Sequence, residues 1–138
     1  EQFFKDGQTD GKDTLWNEDG TPIDLITWKD GEMHGEYVNW HSNGNKRCEY
    51  HYQDGKPHGV CILWHENGQK ETHSNYEYGK REGKTMGWYE NGQIQYEDNY
   101  EDGLLNGYSV SFRENGSKRK EENYKHGFCW NRTNHVEG

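Results

Sequence analysis

Apolar and polar positions in this chain keep a fixed 24-residue period. One aromatic column holds Phe4, Trp28, Tyr52, Tyr76, Tyr100 and Tyr124; another holds Trp16, Trp40, Trp64, Trp88 and Phe112. Glycine keeps the same spacing at Gly7, Gly31, Gly55, Gly79, Gly103 and Gly127, with two further columns running from Gly11 to Gly107 and from Gly20 to Gly116. A fixed period of this kind marks an array of stacked units, each packing on its neighbours, rather than a domain around one core. Within a unit such as Tyr76 to Asn99, two strand-length runs flank an Asn-Gly or Asp-Gly pair. Both residues of these pairs tolerate positive φ, the strongest short-range signal for a β-hairpin. Glycine interrupts the chain too often for a helical stripe to form. The pattern therefore predicts an all-β protein: an elongated single-layer antiparallel meander of 24-residue β-hairpin repeats over 4–27, 28–51, 52–75, 76–99 and 100–123, with a partial cap at 124–138.

The faces follow from the register. If Glu90-Asn91-Gly92 is a three-residue loop with Gly92 left-handed, Trp88 lies opposite Ile94. Alternation along the strands then puts Met86, Trp88, Ile94, Tyr96 and Tyr100 on one face. The same count groups Val38, Trp40, Cys48, Tyr50 and Tyr52, then Val60, Ile62, Trp64 and Tyr76, and leaves Asn39, His41, Arg47, Glu49 and His51 on the other. One aromatic face and one polar face is what a half-buried sheet requires. A two-residue Asn-Gly loop would instead split the aromatic columns. In the preferred register Cys48 and Cys61 point apart, so the expectation is three free thiols. With a two-residue Asp54-Gly55 loop the two cysteines would face each other.

Composition fits a thin array. Of 138 residues only 28% are hydrophobic, and mean hydropathy is −1.50. Such polarity suggests disorder, but aromatics reach 14% and sit at fixed positions. The net charge of −9 makes nucleic acid and anionic membrane surfaces poor partners and a basic protein the natural complement. No run approaches a membrane span. Three cysteines make no disulfide framework and favour a reducing, cytoplasmic compartment. The sequence opens on Glu1 rather than Met, so a processed secreted or periplasmic form stays open.

The pattern Tyr-x-Asp-Gly-x-x-x-Gly, followed by Trp-x-x-Asn-Gly, resembles the MORN repeat. The Glu-Asn-Gly turns at 66–68, 90–92 and 114–116 are similar to its bacterial variant, found in YwqK-family antitoxin-like proteins. The resemblance runs from Phe4 to Gly127. It implies a binding surface: an antitoxin or immunity protein that neutralises a basic toxin, or alternatively a scaffold or membrane-associated segment of a larger MORN-repeat protein, with oligomers forming through the end strands. Thr21-Pro22 and Phe128-Cys129-Trp130 break the pattern and are expected to be caps.

Candidate residues come from the columns. The aromatic face, with Trp40, Trp64, Trp88, Tyr52, Tyr76 and Tyr100, is either the core of the sheet or a partner surface, since Trp and Tyr dominate interface energetics. Asp30, Asp54 and Asp102 have a turn role; Glu66, Glu90 and Glu114 have none and are the better candidates for reading a basic partner. Histidines of one column lie about 10 Å apart, too far to share a zinc, so no metal is expected. No nucleophile elbow, phosphate loop or metalloprotease motif occurs, so neither catalysis nor a cofactor is expected.

Overall fold

The computed structural model describes residues 4–5 and 8–137, with side chains from Asp10 onward. All strand pairing is antiparallel, between strands adjacent in sequence or separated by one two-residue strand. Fourteen strands, from Gly11–Trp16 to Phe128–Asn134, form one open sheet, and Phe4–Lys5 pairs with Gln8–Thr9 in a small separate ribbon. No helix occurs among the described residues, so none is long and apolar enough to cross a membrane. The all-β meander read from the 24-residue period is the observed fold.

Two kinds of turn alternate along the sheet. At Asp54-Gly55 both residues are left-handed, with φ of 50° and 80°, which is a type I′ turn. It pairs Gln53 with Lys56 and Tyr52 with Pro57. Two residues further along, His58 N–H bonds to the His51 carbonyl at 2.7 Å and the strand takes up two extra residues, so Cys48 meets Leu63. At the other margin Tyr89 and Gln93 close the three-residue loop Glu90-Asn91-Gly92, with Gly92 at φ 87°. Trp88 lies opposite Ile94, as the sequence predicts.

One residue later the prediction of a single aromatic face fails. Gln95 is an extra residue: Trp88 pairs with Ile94, but Gly87 pairs with Tyr96. The same one-residue bulge recurs at Ile23, Arg47, Glu71 and Arg119. An insertion of one residue moves every following side chain to the opposite face. The two aromatic columns are therefore split. Trp40, Trp64 and Trp88 share a face with Val38, Ile62 and Met86, whereas Tyr52, Tyr76, Tyr96 and Tyr100 lie on the other, which we call the tyrosine face.

Tight burial follows the tyrosine face. Of the buried residues, Asn39, Cys48, Cys61, Thr72, Ser74, Thr85 and Glu122 lie there, and Val38 and Val110 lie on the tryptophan face. In register, Gly35 pairs with Tyr52, Gly59 with Tyr76 and Gly83 with Tyr100, and the Tyr96 ring packs directly over Gly87. Cys48 and Cys61 do not point apart. They share the tyrosine face, because the two-residue insertion at His58 and Gly59 preserves parity. All three cysteines are free, as expected, although the expected geometric reason is wrong.

Candidate protein-binding surfaces

The Asn-Gly margin is built by one asparagine per repeat. Asn43, Asn67 and Asn91 accept through Oδ1 the N–H of the residue two places on, at 3.0, 3.0 and 2.9 Å. Their Nδ2 groups donate to the carbonyls of Glu66, Glu90 and Glu114 in the next repeat, at 2.7, 2.9 and 3.1 Å. Each asparagine thus closes its own turn and ties it to the next. Beside it, His41 and His65 donate Nε2–H to the carbonyls of Trp64 and Trp88, both at 2.8 Å, and the Tyr89 hydroxyl donates to Phe112 at 2.7 Å. The carbonyl partner fixes which imidazole nitrogen carries the proton.

These bonds hold the backbones of the glutamates and tryptophans and leave the carboxylates outward. Glu66, Glu90 and Glu114 are exposed. A shallow depression of about 410 Å³ brings Trp88, Glu90 and Glu114 together with Tyr89 and Gln95. Trp40, Trp64 and Trp88 are half-buried, and the Lys46 ammonium sits 5.9 Å from the Trp64 ring centre while also bonding Glu49 at 3.2 Å. The glutamate and tryptophan columns proposed from sequence therefore lie along one margin. Tyr52, Tyr76 and Tyr100 do not join them.

On the tyrosine face the rings of Tyr37, Tyr50 and Tyr52 stand 6.1–6.3 Å apart. They line, with Ile26, Leu63, Arg47 and Glu71, a groove of about 680 Å³. Burial, and then a 3.0 Å hydrogen bond to Asp24, push Tyr37 up to about 12. Burial likewise raises Tyr50. Further along the same face the Arg81 guanidinium donates to the hydroxyls of Tyr76 and Tyr100 at 3.2 and 3.1 Å and lies 5.4 Å over the Tyr100 ring. Those bonds raise the arginine further and keep it charged.

Three stretches of the chain, 33–54, 57–78 and 81–102, match the family model of the MORN repeat variant. The central hairpins are similar to MORN repeats over those stretches. The same turns and bulges extend on both sides of the matched stretches, to Gly20 and Ile23 and to Gly116 and Arg119. No curated protein matches the chain. MORN repeats are non-catalytic modules that bind proteins or membranes.

One column of the repeat escaped the reading of the sequence. His34 and His58 accept through Nδ1 the backbone N–H of Asp54 and Tyr78 at 3.4 and 3.1 Å, and Glu82 and Asn106 do the same for Asp102 and His126 at 2.8 and 3.0 Å. Each thereby satisfies the first residue of the type I′ turn in the following repeat. The signal was present in the sequence: four hydrogen-bond acceptors, 24 residues apart. Among the described residues no three potential metal ligands cluster.

Proposed function

We propose that this chain is a non-enzymatic protein-binding module that takes a basic partner along its Asn-Gly margin, and that it serves as an antitoxin or immunity protein for a basic toxin. The observation that carries the reading is the shared depression of Trp88, Glu90 and Glu114. It sets two exposed carboxylates, on turns whose backbones are fixed, beside His65, Trp88 and the Tyr89 ring. A lysine or arginine of a partner finds there both an apolar wall for its stem and an anion for its head. The repeat sets the next such position two strands away, about 9.6 Å along the sheet.

The test is co-expression of the chain with the product of each gene adjacent to its own. Rescue of growth from a basic, toxic product supports the reading when the Glu66→Gln/Glu90→Gln/Glu114→Gln variant loses it. That variant is expected to associate more slowly and with weaker salt dependence, at a stability within about 0.5 kcal/mol of wild type. Failure of every neighbouring product to be neutralised sinks the antitoxin role. Undiminished rescue by the triple variant sinks the glutamate margin.

A further inference from the structure

The residue inserted at each bulge changes from repeat to repeat: Ile23, Arg47, Glu71, Gln95 and Arg119. The last four are exposed. Arg47 and Glu71 line the tyrosine-walled groove, and Gln95 and Arg119 line a second cavity of about 280 Å³ on the same face beyond Arg81, with Tyr96 and Tyr124. The Arg47 charge draws Tyr37 and Cys48 back down, as a guanidinium on that face must. Among the described residues the side chains of Arg47, Gln95 and Arg119 enter no hydrogen bond or ion pair, and the Glu71 carboxylate reaches only His65 Nδ1, at 3.8 Å.

The bulges are therefore a row of uncommitted groups, cationic, anionic, neutral and cationic, one per repeat. Two strands per repeat set their spacing at about 9.6 Å. An extended polyproline-II chain repeats its side chains every third residue, at about 9.3 Å. A β-strand repeats at about 6.8 Å and an α-helix at 5.4 Å per turn, roughly, so neither keeps step with the row. Aromatic-walled grooves also suit the polyproline-II form, which gives up little entropy on docking.

We infer that the tyrosine face binds a polyproline-II segment of another protein laid across the strands, with Arg47, Glu71, Gln95 and Arg119 selecting an acidic, a basic, a polar and an acidic residue at every third position. The inference rests on the chain being a protein-binding module, but not on the glutamate margin. The two surfaces meet at Gln95, which also lines the depression of Glu90 and Glu114, whereas Arg47, Glu71 and Arg119 line cavities without those glutamates.

Fluorescence anisotropy of labelled proline-rich dodecapeptides titrated with the full chain tests it. One peptide carries Asp, Lys, Gln and Glu at every third position, a second carries the same residues in reverse order, and a third has every charge inverted. The first or second is expected to bind saturably, with the charge-inverted peptide at least about tenfold weaker. The Arg47→Glu/Glu71→Arg variant, shown folded by circular dichroism, should shift its preference to a peptide with those two charges exchanged. The Glu66→Gln/Glu90→Gln/Glu114→Gln variant should bind the peptides like wild type. No saturable binding, equal affinity for all three peptides, or an unchanged preference in the swapped variant overturns the inference. Loss of peptide binding in the triple glutamine variant overturns it as well, by moving the peptide to the margin.

Discussion

Replacing Gly87 with alanine isolates the packing that splits the two faces. Gly87 is not in the left-handed region, so an alanine backbone is tolerated there; the obstacle is the ring of Tyr96. A methyl group at Gly87 would stand 2.2 Å from one ring carbon and 2.7 and 2.8 Å from two others. Carbon atoms settle at about 3.5–4.0 Å, so the ring must retreat by roughly 1.3 Å or more. It lies on the tightly buried face, between Gly87 and Ser111 on the flanking strands. Overpacking of this kind costs about 1–3 kcal/mol, which for a chain of this size lowers Tm by roughly 4–12 °C. Urea unfolding followed by circular dichroism should show a lower midpoint at unchanged slope. Truncating the ring relieves the clash, so Tyr96→Ala should be less damaging in the Gly87→Ala background than in wild type. A loss below about 0.5 kcal/mol, or two losses that simply add, would refute the ring-on-glycine contact and the bulge register that creates it.

Acid should loosen the last strand first. Burial opposes the ionised form of Glu122, but hydrogen bonds from Lys120, Arg132 and Tyr124 outweigh it and hold the carboxyl down to about 2. Tyr108, His135 and Lys118 hold Glu121 down to about 2 as well. A depressed carboxyl stabilises the fold fully above its ordinary value of 4.5 and loses that contribution as pH falls from there toward 2. Hydrogen exchange of the backbone of Phe128–Asn134 should therefore accelerate over this window, and Glu122→Gln should flatten the response; exchange that is independent of pH after correction for intrinsic rates would refute the network. The thiols give a separate check. Burial raises Cys48 and Cys61, so neutral iodoacetamide should modify half-buried Cys129 well before either of them in the folded chain, and all three after unfolding without reductant. Modification of only one cysteine in the unfolded, unreduced protein would contradict the free thiols.

Much of this architecture is legible in the sequence because local chemistry sets it. Asp54-Gly55 and Asn91-Gly92 adopt the left-handed geometry their residue types favour, and the pairing of Trp88 with Ile94 follows from the loop length alone. What the sequence hides is the bulge. Ile23, Arg47, Glu71, Gln95 and Arg119 are four different residue types in five repeats, because the inserted residue makes no contact that repeats along the array. The information lies instead across the sheet, where Gly87 is the position that leaves room for the Tyr96 ring. A period read along one strand cannot show which small residue faces which ring on the next.

That one-residue insertion also separates two jobs that a single aromatic face would have had to share. Large rings that form the only core of a one-layer sheet cannot also be free to meet a partner. With the columns split, Tyr52, Tyr76 and Tyr100 lie on the more enclosed face, while Trp64 and Trp88 stay half-exposed on the other. The inserted side chains of Arg47, Gln95 and Arg119 make no hydrogen bond to either column, and Glu71 reaches only His65. Substitution there changes charge on the tyrosine face without touching the turns, the asparagine ties or the ring-on-glycine contacts that hold the array. A scaffold of this kind can vary its specificity one repeat at a time, and the bulge column is where variation is least expensive to stability.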